Sequence, residues 1–191
     1  MAIDGSFLRL LSDKELLEYF GSMGNDSMQI VMALASMLYD LENNIIVDAK
    51  ITSIHDNERS LAEEHLSALQ SLADYNLGHR ELIIFDRGYP SFDLIKSLSD
   101  KEIAYVMRVW KGFVNEQELG ESEEGWVSLG KTGRQVRLIR LELSSGEQEL
   151  LVTNLTEKQM EYAAFGELYH KRWGIETGLY PKKYTRLSSL N

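Results

Sequence analysis

The segment ELIIFDRGYPSF, residues 81–92, constrains the fold of this chain more than any other. Leu82 to Phe85 is an unbroken apolar run with no polar residue to turn toward water, so it reads as a strand buried on both faces. Such a strand needs helices over the sheet it belongs to, which directs the chain toward a layered α/β architecture. The run stops at Asp86-Arg87-Gly88. In an open α/β sheet, strand ends are where side chains converge for chemistry.

The rest of the chain supplies the neighbours that this strand requires. AIDGSFLRLL near the amino terminus reads as a strand with a turn or bulge at Asp4-Gly5. In MQIVMALASMLYDLENNIIVDAKITSI the second half is β-branched and reads as a strand. The first half, rich in Met, Ala and Leu, fits helix or strand, and Asn43-Asn44 between the halves favours a hairpin. Leu61, Ala62, His65, Leu66, Leu69 and Leu72 share one face of a helix that ends near Asn76–Gly78. SFDLIKSLSDK predicts a short helix capped by Ser91, and EIAYVMRVW a further strand. Residues 111–153 alternate in short β-like pieces separated by Gly and Ser turns, and residues 158–180 read as one or two helices. The order is β-β-β-α-β-α-β, a β-rich insert, then α, which implies a mixed sheet with flanking helices. It is also the element order of the ribonuclease H-like fold. The expected organisation is a core begun by residues 1–110, a β-rich insertion over 111–153, and a helix and tail over 154–191.

With 191 residues, 43% of them hydrophobic, the chain suits one domain carrying an insertion. No cysteine is present, which excludes disulfides and thiolate metal sites and leaves carboxylates and four histidines as ligands. His55, His65, His79 and His170 have no metal-ligand spacing. No run of eighteen apolar residues or signal-like amino terminus occurs, so a cytoplasmic protein without a membrane partner is expected. The net charge of −10 argues at first against nucleic acid. Its distribution softens that: residues 1–100 hold 7 basic and 17 acidic side chains, residues 101–191 hold 13 of each.

Three carboxylates stand out. Asp4 lies on the first strand, Asp86 closes the buried one, and Glu176 falls in the last helical segment. Carboxylates from separate elements can hold two hard divalent cations roughly 3.5–4 Å apart. Each alone also fits a turn, a cap or a solvated helix carboxylate. Tyr169, Arg172, Glu176 and Lys183 fall within an arc of roughly 60° on an ideal helix. That line suits a metal-binding carboxylate flanked by phosphate partners, and it equally suits an exposed face with an Arg172–Glu176 ion pair.

The pattern Tyr169-x2-Arg172-x3-Glu176-x6-Lys183, set in LYHKRWGIET, resembles the Tyr-Arg-Glu-Lys signature of the insertion-sequence-4 group of DDE transposases. IDGS around Asp4 and FDRGY around Asp86 resemble that group's first and second catalytic aspartate segments, and the β-rich stretch resembles its insertion. The resemblance implies a ribonuclease H-like core in which Asp4, Asp86 and Glu176 are catalytic and hold two Mg2+ (or Mn2+). It further implies that Tyr169, Arg172 and Lys183 contact DNA phosphates. The activity implied is cleavage and strand transfer at the ends of a mobile element, with double-stranded DNA as partner and room for a homodimer in the DNA complex.

Other residues carry less. Trp110 and Trp126 could stack on an unpaired base or simply pack, and Glu58, opening the first long helix, is accounted for by the helix dipole. Only three residues precede Asp4, and Pro181 falls between Glu176 and Lys183. From these two features we expect a copy cut short at both ends, with a frayed first strand, weak binding of divalent ions and no transposition. A ribonuclease H-like nuclease that cuts without joining, or a non-enzymatic acidic α/β interaction domain, are the alternatives.

Overall fold

A computed structural model of the chain describes residues 1–25, 28–73, 81–142 and 146–172. Leu82–Phe85 forms β5, between β1 (Ala2–Arg9) and β6 (Ala104–Val109), and both pairings are parallel. Successive side chains of β5 point to opposite faces and both faces are covered. Ile83 and Phe85 pack with Leu66 and Leu94, while Ile84 packs with Phe165 and Tyr169. The helices responsible are α2 (Glu58–Ala73) and α3 (Phe92–Asp100) on one side and α4 (Ala164–Lys171) on the other. Ser91 caps α3 as its sequence suggests, its hydroxyl accepting from the Leu94 amide at 3.1 Å.

The ambiguous segment MQIVMALASMLYD is strand β3 (Met28–Asp40), not helix. β1 runs antiparallel along one edge, from Ala2 opposite Tyr39 to Arg9 opposite Met32, and β4 (Ile45–Ser53) along the other. Pairing on both edges and near-continuous burial override the helical propensity of Met, Ala and Leu. The hairpin between β3 and β4 is organised by Asp40, whose Oδ1 accepts from the Glu42 and Asn43 amides at 2.9 and 3.1 Å. Asn44 takes the left-handed φ of 56° that such a turn needs.

Residues 12–27 carry no expectation from sequence periodicity, yet hold α1 (Lys14–Phe20) and β2 (Ser22–Asn25). α1 is only seven residues long and none is fully buried, although Leu16, Leu17 and Phe20 are half-buried. Its signal is the cap: Asp13 Oδ1 accepts from the Glu15 and Leu16 amides at 2.8 and 3.2 Å. β2 pairs with the first residues of β3. β1 is paired from its first residue. The Met1 amino nitrogen donates to the Leu82 carbonyl at 2.7 Å, the Ile84 amide donates to Met1 at 3.0 Å, and β3 holds the other edge throughout.

The β-rich stretch gives β7 (Glu124–Ser128), β8 (Gln135–Glu142) and β9 (Gln148–Thr153), all antiparallel, after a 3-10 turn at Glu116–Leu119. β9 lies antiparallel to β6, so these strands continue the main sheet beyond it. Among the described residues no helix is long and apolar enough to cross a membrane.

Arg137 on β8 ties this extension to α4. It is wholly buried, donates to Glu124 through Nε and Nη2, and gives Nη1 to the carbonyls of Met160 (2.7 Å) and Leu155 (3.4 Å). Its guanidinium also lies 5.2 Å from the centre of the Phe165 ring. Arg137→Met would leave Glu124 and two carbonyls without their donors. We expect a loss of about 3–5 kcal/mol in urea unfolding. A loss under about 1 kcal/mol, the size of a surface pair, would show that this clamp does not seat α4.

Candidate active site

Asp4 and Asp86 are brought to one place by strand register. Ala2 pairs with Ile84, so two residues further along neighbouring parallel strands, about 4.8 Å apart, stand Asp4 and Asp86. Asp86 meets three groups from two other elements. Tyr169 of α4 donates its hydroxyl to Oδ1 at 3.2 Å, Arg172 brings Nη1 to 3.9 Å from Oδ2, and Arg108 of β6 brings Nη1 to 4.0 Å from Oδ1. Arg108 is itself held by Glu149 at 2.6 Å. The Arg172 guanidinium lies 5.6 Å from the Tyr169 ring centre.

Tyr169 and Arg172 are 4% and 5% exposed, so the solvated-face reading of this helix does not hold for them. Three residues apart, they turn one side of α4 onto Asp86. Burial, and then the nearby Asp86 charge, push the Tyr169 phenol well above its ordinary pKa, so it stays a donor. Glu176 and Lys183, with Pro181 between them, lie outside the described residues.

Asp4 sits in a less accommodating place. Burial is the main cause that raises its pKa to about 6, and the charges of Asp86 and Glu58 add to the rise. The Gly5 amide, 3.0 Å from Oδ1, and the Arg172 charge act the other way. Glu58 is likewise raised, by burial first and then by Asp86, with Arg59 opposing. Among the described residues no three His, Cys, Asp or Glu side chains are gathered at metal-ligand spacing.

Two members of this site escaped the sequence reading. Arg108 was legible as the one charge within the strand AYVMRV. Glu58 was assigned to its own helix dipole, and only the fold shows that its charge bears on Asp4. Beside Asp86 opens a cleft of about 680 Å3, lined by Arg87, Arg108, Trp110, Lys111 and the start of β9. Trp110 packs edge-on against Phe113 at 4.9 Å and remains 42% exposed, whereas Trp126 donates to Glu157 at 3.0 Å. His65 is a buried structural residue, its Nδ1 2.7 Å from Asp48 and its Nε2 3.0 Å from Ser36.

A mixed sheet ordered β4-β3-β1-β5-β6, helices on both faces and acidic residues on the central parallel pair define a ribonuclease H-like domain. The family model of the transposase DDE domain matches residues 1–188, and the chain belongs to that family. Among solved structures, the cryo-EM structure of the piggyBac transposase synaptic complex with hairpin DNA shares the fold, with a TM-score of 0.51 at 13% identity. The match covers 92% of this chain and 38% of that one, so the chain spans well under half the length of that relative. No curated protein matches the chain.

The raised pKa of Asp4 has a stability consequence. Below the ordinary carboxylate pKa of about 3.9 the side chain is protonated whether folded or not, and its favourable contribution is full. As pH rises through about 6 that contribution is lost, because the folded protein must ionise a buried group. Asp4→Asn should therefore raise stability at pH 7–8 without divalent ions by about 1–2 kcal/mol, after allowance for solvent screening. The gain should vanish below about pH 4. Thermal melts across this range test it, and a variant less stable than the parent at pH 8 would count against the assignment.

Proposed function

We propose that this chain is the catalytic core of a DNA transposase of the insertion-sequence-4 group, joining element ends to target DNA by divalent-metal chemistry. The observation that carries the reading is the meeting of Asp4 and Asp86, on adjacent parallel strands, with Tyr169 and Arg172 of the signature helix. The donor set fits hard cations: carboxylate oxygens, one of them raised by burial and like charges that a cation would relieve. In this reading Asp4, Asp86 and Glu176 hold two Mg2+ or Mn2+ ions. When bound, such ions activate an attacking oxygen at a phosphodiester and stabilise the leaving one.

The chain's own residues position the groups. Tyr169 fixes the rotamer of Asp86 through its hydroxyl, the kind of support that a ligating carboxylate needs. Arg172 and Lys183 take phosphate oxygens of the element end, Arg172 by a two-pronged hydrogen bond, and Tyr169 adds a phosphate contact when its hydroxyl turns from Asp86. The cleft beside Asp86 offers Arg87, Arg108 and Lys111 to a DNA backbone and the face of Trp110 to an unpaired base. Residues 111–153 form the insertion that builds this wall, between core segments 1–110 and 154–191. A homodimer on DNA is part of the same reading.

The test is a strand-transfer assay with a duplex carrying a matching element end and a recessed 3′-hydroxyl, in Mg2+ or Mn2+. Joined products should form only with the metal and disappear in Asp86→Ala. Tyr169→Phe should lower the rate about 10–100-fold. Cutting without joining would favour a nuclease of the same fold. No response to either ion would favour an interaction domain.

A further inference from the structure

We propose that Glu149 is a placeholder for DNA phosphate: its carboxylate occupies Arg108 in the free chain and gives that guanidinium up when a backbone phosphate enters the neighbouring cleft. The inference rests on the reading of this chain as a DNA enzyme and involves no metal ion. Arg108 and Glu149 stand on adjacent antiparallel strands, β6 and β9. Arg108 is paired with Leu151, so Glu149, two residues away on β9, projects from the same face of the sheet. Its Oε1 lies 2.6 Å from Arg108 Nη2, and among the described residues it has no other ion-pair partner.

The contact is close but incomplete. A guanidinium presents a planar fork of donors that matches two oxygens of a carboxylate or a phosphate at once. Glu149 takes Nη2, while Nε, the other prong on that edge, is buried and meets no hydrogen-bond partner. Nη1 lies 4.0 Å from Asp86 Oδ1, too far for a hydrogen bond. Arg137 shows what a structural pair looks like in this chain: it is wholly buried, and both Nε and Nη2 donate to Glu124. Arg108 keeps 27% of its side chain exposed and lines a cleft of about 680 Å3 together with Arg87 and Lys111. It has donors left over and faces a space that a DNA backbone could enter.

Glu149 makes that entry costly. It is 9% exposed, so once Arg108 turns to a phosphate it remains as a poorly solvated carboxylate beside a second negative charge. Like charges brought together across an interface lower affinity and select against wrong partners. A duplex that makes few other contacts does not offset this cost, whereas one that fits the rest of the surface does. Glu149 thereby acts on specificity through Arg108, without touching a base.

The test measures binding of a short fluorescein-labelled DNA duplex to the full chain by anisotropy, without divalent ions and over a range of salt. Phosphate contacts carry no sequence information, so the duplex need not be an element end. The parent should bind at low salt, and Arg108→Gln should bind about tenfold more weakly. Glu149→Gln should bind about tenfold more tightly, with a steeper salt dependence. In the Arg108→Gln background the same change should alter affinity by less than about twofold, because its effect runs through the guanidinium. Unchanged or weaker binding by folded Glu149→Gln, or the full gain retained in the double variant, would overturn the placeholder and leave DNA binding standing. Should Glu149→Gln unfold, the side-chain carboxyl carbon of Glu149 in the isotopically labelled parent decides. Its resonance should shift as duplex is added, and a signal unmoved at saturation would overturn the proposal. A parent chain that binds no duplex at low salt would overturn the DNA reading itself.

Discussion

A carboxylate placed on the central strands of a buried sheet has to be compensated by something else in the fold. β5 is apolar on both faces and is followed directly by Asp86, and β1 carries Asp4 at the same level. Left alone, two such groups would resist ionisation and push the strands apart. The surrounding elements can be understood as answers to this constraint. β6 contributes Arg108, α4 contributes Tyr169 and Arg172, and the Gly5 amide closes on Asp4. The compensation is incomplete at Asp4, whose pKa stays near 6.

The position of α4 depends on contacts far from the aspartates. Phe165 buries under the sheet beside Ile84 and Val106, and Arg137 reaches from β8 to the carbonyls that lead into the helix. The strands after β6 therefore do more than widen the sheet. They carry the clamp that sets where Tyr169 falls, and through Glu149 they set where Arg108 falls. The strands after β6 and the surroundings of Asp86 are thus joined through Arg137 and Glu149, although they are distant in sequence.

Much of this was legible in the sequence because the pattern had a single physical solution. LIIF followed by Asp86 allowed little but a buried strand, the leucine spacing of residues 61–69 gave the buried face of α2, and Ser91 marked its helix start. Where two solutions competed, tertiary pairing decided, as in β3, whose composition suits a helix and whose edges are both taken by strands. α1 went unread because seven residues, with only Leu16, Leu17 and Phe20 half-buried, are too few for a periodic pattern to stand out. Glu58 and Arg108 were missed for a different reason. A charge next to a helix start or inside a strand has an ordinary local explanation, and only the packing of distant segments brings each beside an aspartate.

The same geometry bears on how an acidic chain could handle DNA. Net charge is a poor guide when the acidic excess lies in the first half and Arg87, Arg108 and Lys111 line one cleft beside Glu147 and Glu149. Arg108 and Arg172 lie near 4 Å from Asp86, each partly balancing a charge that a divalent cation would balance more fully. On the reading proposed above, an ion arriving at Asp86 lessens the hold of that carboxylate on both guanidiniums and leaves them readier to accept phosphate. Ion and phosphate then favour each other's binding, and linkage makes that coupling equal in both directions. On that reading Arg108 and Arg172 rest on the carboxylate that a metal would occupy, so that phosphate contact and metal binding would rise together.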